Sequence, residues 1–331
     1  MLLSICIPNF NRANCLDNCL NSIVISKKNS NLKFEVCISD NNSSDNIENV
    51  INSYKSKLNI NFKKNKRNVG LGKNILNVVS MAKGEFVWIL GNDDLIVPKA
   101  LKSLEKLFSK KNEVDFYFVN SFNLQSFKVL DSPQPFNTEN LPNNMEKFSK
   151  IDKNQIINFL DLINPKFSFD FLLGIYLSIF RKKKWDLNVN KVNEEKICRE
   201  GVYSTFENTC PHVIIFSKSF SGSKAYVQAE PLSINLSGER EWSDLYTFIE
   251  AIRIPEALDV YLNAGLSTKK YYFYKNYSLK NFIPSLVKII LSGKKGGKNY
   301  IKIFPHIIKN MIFPNFYLSP FNFFYRKIFI K

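Results

Sequence analysis

The feature that most constrains this chain is a repeated change of hydrophobic period over residues 1–120. Leu3 to Ile7 is a short apolar run closed by Pro8, and Leu16, Leu20, Ile23 and Val24 then recur at helical spacing. Phe34 to Ile38 reads as a second strand ending in Ser39 and Asp40, and Ile47, Val50, Ile51 and Tyr54 share a helical face. Ile60 and Phe62 mark a third strand, and Leu71, Ile75, Val78 and Val79 a third helix. Phe86 to Leu90 is a fourth strand and Val114 to Val119 a fifth, with a helix begun at Pro98 between them. Strands alternating with helices predict the α/β class, a mainly parallel sheet covered by helices on both faces.

The rhythm stops after 120. Residues 121–150 are polar, carry Pro133, Pro135 and Pro142, and read as a long loop of the kind used as a lid or acceptor loop. Gln155 to Trp185 has a helical or mixed apolar pattern, Ala225 to Leu236 a strand pair or edge, and Trp242 onward a helical and increasingly basic one. The expected organisation is an α/β half over 1–120, a second half of the same domain over 121–240 and a helical basic region over 241–331.

Ligands of open α/β sheets bind beyond the carboxyl ends of the strands. Here those ends are Pro8 to Arg12, Ser39 to Asp45, Asn65 to Asn74, and Gly91-Asn92-Asp93-Asp94. Each is an ordinary turn by itself; four polar ends converging on one edge make a site. The glycines do not form G-x-G-x-x-G after the first strand, and neither a P-loop nor a G-x-S-x-G elbow occurs, which disfavours dinucleotide, P-loop and hydrolase chemistry. Six scattered cysteines without a C-x-x-C pair, and only His212 and His306 to join them, disfavour zinc and fit reduced thiols.

The formal charge of +17 points to an anionic partner, whether nucleic acid, phosphorylated substrate or membrane surface; lysine-rich composition is the competing reading. No nucleic-acid motif accompanies it, and its basic residues mingle with apolar helices, so a basic nucleic-acid-binding protein is the weaker alternative.

Pro8-Asn9-Phe10-Asn11-Arg12, Asp40 with Asp45, Asn68-Val69-Gly70 with Asn74, and Asn92-Asp93-Asp94 together resemble the family 2 glycosyltransferases of the GT-A (Rossmann-like) fold. The resemblance covers residues 1–120 and implies a nucleotide-sugar donor and a divalent metal, Mn or Mg. It implies that Pro8 to Arg12 hold the nucleotide and that Asp40 reads its base. Asn68, Gly70 and Asn74 would line the donor site, and the acids after the fourth strand would bind metal and diphosphate. A hard cation on oxygen ligands suits a diphosphate leaving group. The family's D-x-D lacks its first acid here, Gly91 or Asn92 standing in its place. The metal is therefore expected on Asp94, with Asp93 shared with the ribose or phosphates; a helix cap ahead of Pro98 is the alternative for both acids.

An inverting transfer needs a general base. The family's usual Glu-Asp is missing, and Pro211-His212-Val213 is similar to a branch related to O-antigen abequosyltransferases, which implies His212 as the base. A packed or capping histidine is the equal alternative, with Glu207 and Asp170 in reserve. Arg181 to Lys184 could contact an anionic acceptor or form a solvated basic run. The tail from Ser285, basic and rich in Ile and Phe, suits an interfacial helix on anionic lipid or a packed terminal subdomain.

The expected function is metal-dependent, inverting transfer of a hexosyl or deoxyhexosyl group to a bacterial cell-surface glycan. That acceptor is of O-antigen, capsule or lipooligosaccharide type, on a lipid carrier. The first residues lack a signal-peptide pattern, so the expected place is cytoplasmic, peripheral on the inner membrane face. The missing acid and missing Glu-Asp leave an inactive scaffold of the same fold as the alternative.

Overall fold

The computed structural model describes residues 2–110, 113–129, 131–142, 144–199, 201, 203–238 and 243–329. Its centre is a ten-stranded sheet. The strands are β1 (Leu3–Asn9), β2 (Phe34–Asp40), β3 (Ile60–Lys64), β4 (Phe86–Ile89), β5 (Asp94–Ile96) and β6 (Phe116–Gln125), then β7 (Glu146–Lys147), β8 (Gln155–Asn158), β9 (Ser178–Arg181) and β10 (Lys224–Ser237). They run in the order β3-β2-β1-β4-β9-β6-β10-β5, with β7 beside β6 and β8 beside β10. β1, β2, β3 and β4 are mutually parallel, as are β6 and β10. β9 is antiparallel to both of its neighbours, β4 and β6.

The first four helices are α1 (Ala13–Lys27), α2 (Ile47–Tyr54), α3 (Leu71–Ser80) and α4 (Ala100–Ser109). Side chains alternate across each strand, so the central strands feed two cores. Leu3, Ile5 and Ile7 of β1 pack with Leu16 and Leu20 of α1, Ile51 of α2 and Leu104 of α4. Cys6, pointing the other way, joins Ile75, Val78 and Val79 of α3 and Phe116 and Phe118 of β6. The expected α/β sheet covered on both faces is therefore present.

The second half departs from expectation. β6 continues to Gln125, so the division drawn at 120 falls inside a strand; the division drawn at 240 lies outside the described residues. Ala225 to Leu236 belongs to one long strand between β6 and β5, with a register shift between Gln228 and Ser233. Pro231 sits in that irregularity, where a missing N–H breaks no ladder bond. Arg181 to Lys184 begin at the end of β9, opposite Phe86 at the amino end of β4. Arg181 pairs with Glu85 and Asp115, and Lys184 with Asp115. This run is thus at the far end of β4 from Gly91, which removes it as an acceptor contact. Trp185 is buried and stacks on Phe180.

Helices α5 (Lys182–Asp186), α6 (Glu194–Ile197), α7 (Phe206–Thr209) and α8 (Pro211–Ser219) follow β9. After β10 come α9 (Tyr246–Phe248), a π-helical turn (Ile249–Arg253), α10 (Ile254–Leu262), α11 (Thr268–Ser278), α12 (Phe282–Ser292), α13 (Ile303–Asn310) and α14 (Pro314–Phe329). α10 sends Ala257, Leu258 and Tyr261 into the core under the sheet. Phe282, Leu286 and Ile289 of α12 form a third small core with Phe248 and Ile252.

Candidate active site

Four strand ends meet at one edge, and short polar side chains knit them together. Asn9, the last residue of β1, donates weakly to Asp40 (3.4 Å) and accepts from Asn92 (2.7 Å). Asn74 of α3 donates to the Ser39 carbonyl (3.0 Å) and accepts from the Ser39 hydroxyl (2.7 Å) and from Asn65 (3.0 Å). Asn41 donates to Asn68 (2.7 Å), whose amide oxygen also accepts from the Gly70 N–H (2.9 Å). Buried polar groups of this kind are stable only when satisfied, and a satisfied network is rigid.

Around this edge opens a cleft of about 1370 Å³. That exceeds the roughly 300–1,000 Å³ of a single-ligand pocket, so it has room for two substrates end to end. Its lining includes Pro8, Asn9, Phe10, Arg12, Asn68, Gly70, Asn74, Asp93 and Asp94, all expected from sequence, together with Asn41. Asp40 stands behind that lining. It is fully buried, and its carboxylate accepts from the Ser43 N–H (3.0 Å) and hydroxyl. It shapes the loop that presents Asn41. Asn11, in a left-handed turn (φ 49°), accepts from the Ser44 N–H, and Asp45 accepts from the first N–H of α1 at Ala13. These residues therefore act as loop supports. Gly70 has φ 83° at the start of α3. A Cβ on Gly72 would stand 2.9 Å from the Cα of Asn208, so this glycine admits α7 against α3.

The two acids differ. Asp94 opens β5 and is 2% exposed; its carboxylate accepts from the Gly91 N–H (3.0 Å) and the Asn235 amide (2.8 Å). Asp93 is more open and pairs with Arg12 at 2.9 Å. Neither caps α4, which starts at Ala100 with Lys99 before it. A Cβ built on Gly91 would stand 2.7 Å from Asp93 Oδ1 and 2.8 Å from Asp94 Oδ2. Two carboxylate oxygens therefore converge over Gly91, and any side chain there would close the gap between them. Glycine in place of the missing acid is what lets both acids turn inward. Among the described residues no three His, Cys, Asp or Glu side chains form a metal cluster. Two carboxylates nonetheless fit Mg²⁺ or Mn²⁺, which takes one or two from protein and the rest from substrate phosphates and water.

The same cleft is also lined by Asp170, His212, Tyr246, Ile249, Glu250 and Ile254. Asp170 lies on a turn whose Phe171 and Leu172 have φ of 50° and 68°. Its carboxylate accepts from the Ser168 hydroxyl and the Gly174 N–H (2.9 Å), yet burial still raises its pKa above the usual range. His212, second residue of α8, is 2% exposed, and its Nε2 donates to the carbonyls of Leu172 and Leu173 at 3.2 and 3.1 Å. Glu207 pairs with Lys196 (3.3 Å). The π-helical turn that brings Ile249 and Glu250 to the cleft has no sequence signature; π-turns of this kind concentrate at functional sites.

Burial lowers the His212 pKa from 6.5 to about 4, so the ring is neutral at pH 7. Below about pH 6.5 the unfolded chain takes up a proton that the folded chain refuses until about pH 4. Stability is therefore expected to fall through that window, by on the order of 3 kcal/mol from this group alone. Denaturant unfolding at pH 7 and pH 5 checks it: His212→Gln should flatten the dependence, and an unchanged slope would refute the assignment.

Comparison with known proteins agrees with this geometry. Residues 4–168 match the family described as Glycosyl transferase family 2. The abequosyltransferase RfbV of Salmonella typhimurium is 38% identical over 116 residues, 34% of this chain and 34% of that protein. The GalNAc(5)-diNAcBac-PP-undecaprenol beta-1,3-glucosyltransferase of Campylobacter jejuni is 29% identical over 201 residues, 58% of this chain and 55% of that protein. The chain thus spans about a third of the first curated relative and about half of the second. The solved structure of S. aureus TarS 1-349 in complex with UDP has a TM-score of 0.54 at 17% identity, covering 86% of this chain and 72% of that one; it shows a shared fold. On the match over residues 4–168 and on this architecture, the chain belongs to glycosyl transferase family 2 and has the GT-A fold.

Proposed function

We propose that this chain transfers a sugar from a nucleotide-sugar donor to a hydroxyl of a cell-surface glycan on a lipid carrier, at the inner face of the cytoplasmic membrane. The observation that carries the reading is the convergence of Asp93 Oδ1 and Asp94 Oδ2 over Gly91, beside Arg12, at the edge where four strands end. The abequosyltransferase and undecaprenol-linked glucosyltransferase names of its relatives support the substrate class.

In this mechanism Phe10, Asn41 and Asn68 bind the nucleoside. Asp93, with Asp94 behind it, would hold a divalent cation, which would offset the negative charge that develops on the diphosphate. Asp94 is the more enclosed acid, so the main ligand is Asp93, the reverse of the order expected from sequence. Arg12, already beside Asp93, turns to the departing phosphate.

Asp170, in the lining of the same cleft, is the base. The acceptor hydroxyl oxygen attacks the anomeric carbon, Asp170 takes its proton, and the carbon–oxygen bond to the diphosphate breaks, inverting the centre. His212 is 2% exposed, with its Nε2–H committed to two carbonyls. It holds the turn that carries Asp170. Glu207, tied to Lys196, supports α7.

A thermal-shift series with UDP, GDP, CDP and dTDP, each with and without Mn²⁺, tests the reading. One nucleotide should stabilise by about 2.7 kcal/mol at a hundred times its dissociation constant, and less without metal. If none shifts the melting temperature in either condition, the donor site is wrongly assigned.

A further inference from the structure

α14 is apolar on two sides. One side packs: Phe316 meets Phe282 of α12 with ring centroids 5.8 Å apart, and the buried Ser319 hydroxyl accepts from the Ile283 N–H. The other side carries Tyr317, Phe321, Phe324 and Ile328, spaced by four, three and four residues, and 55–73% exposed. That spacing is one helical stripe. Leu291, at the end of α12, is 81% exposed and Phe304 of α13 is 70% exposed. Fifteen of the twenty-one exposed large apolar residues among the described ones lie beyond residue 271. A soluble face seldom gathers apolar surface in this way without a partner.

The charge on this region selects the partner. No Asp or Glu follows Asp259, whereas thirteen Lys and Arg do. A second copy of the same face would bring two acid-free, basic surfaces together, which repel. An anionic surface with an apolar interior complements both properties. No helix among the described residues is long and apolar enough to cross a membrane, so the helices lie on it.

We propose that α12, α13 and α14 form a docking face that inserts its apolar stripe among the acyl chains of an anionic bilayer while the lysines contact the headgroups. The inference deepens the proposed function and rests on it only for the acceptor, a lipid-linked glycan. The same face adjoins the cleft through one segment. Tyr246, Ile249 and Glu250 line the cleft, while Phe248 and Ile252, from the same segment, pack against Phe282, Leu286 and Ile289 of α12. Docking therefore holds this part of the cleft beside the lipid surface.

Co-sedimentation of the full chain with vesicles of phosphatidylcholine, with or without phosphatidylglycerol, tests this. Binding should be at least about tenfold tighter on the anionic vesicles and be lost at high salt. The double variant Phe321→Asp, Phe324→Asp should lose about tenfold or more of that binding, with an unchanged melting temperature and nucleotide shift. Lys294→Glu with Lys295→Glu should weaken it on anionic vesicles alone. Equal binding to both vesicles, binding to neither, or a dimer by light scattering that the aspartates dissolve would each overturn the proposal. Vesicle binding without any nucleotide shift would leave docking standing and remove the transferase reading.

Discussion

Asp170→Asn is expected to lower kcat for sugar transfer by about 10²–10⁴, the range of a lost general base, with nucleotide binding unchanged. The substitution keeps the side chain's size and can still accept from the Gly174 N–H, so the turn at Phe171 and Leu172 should persist. What disappears is the capacity to take a proton. The pH profile separates this from a structural defect. Burial raises the Asp170 pKa, and a base works only when deprotonated, so wild-type kcat/KM should decline on the acid side at a pH above the ordinary aspartate value. In the asparagine variant the residual rate should lack that limb. A loss under about tenfold would be too small for general-base catalysis and would sink the assignment.

The acids over Gly91 should separate just as sharply. Asp93→Ala is expected to cost about 10²-fold or more in metal-stimulated turnover, because the cation loses its more open ligand while several kcal/mol of charge stabilisation depend on it. Its melting temperature should fall less than that of Asp94→Ala, since the Arg12–Asp93 pair is only partly buried and water can reach the arginine left behind. Asp94→Ala should behave differently. It strips an acceptor from the Gly91 N–H and the Asn235 amide in a buried setting, so about 1–3 kcal/mol of stability should go with the activity. Titrating Mn²⁺ against turnover, with melting curves beside it, reads both effects. If Asp93→Ala retained full metal stimulation, the metal would not rest on this acid.

The donor half of the site was legible because its determinants are local. Each strand-to-helix period change places a polar loop at the same edge, so the segments Pro8 to Arg12, Asn65 to Asn74 and Gly91 to Asp94 could be gathered from the pattern, while the choice of Asn68, Asn74 and the two acids within them came from the family resemblance. Their individual duties were not legible. Asp40 and Asp94 look alike in a list of loop acids, but Ser43 holds the Asp40 carboxylate behind the cleft lining while Gly91 and Asn235 hold Asp94 within it, and such bonds depend on three-dimensional closure. β9 was hidden for a related reason: its short apolar run pairs with β4 and β6, both far away in sequence, and antiparallel insertion leaves no period change to read. The basic run after it looked available for an acceptor until that pairing fixed it at the opposite edge. His212 was recognised at a helix start; its burial against Leu172 and Leu173 comes from a turn with two left-handed residues that nothing in Phe171 or Leu172 announces.

β9 carries a consequence for how this protein can be cut. The stretch held in common with the family ends at residue 168, but the strand that joins β4 to β6 begins at Ser178. Asn235, which closes Asp94, arrives later still on β10. A fragment ending at 168 would have a gap through the middle of its sheet and an unbuttressed acidic turn. The segment that ancestry marks out is thus shorter than the segment that can stand alone, and a shuffled or truncated version needs at least the chain through Ser237 to inherit a working donor pocket.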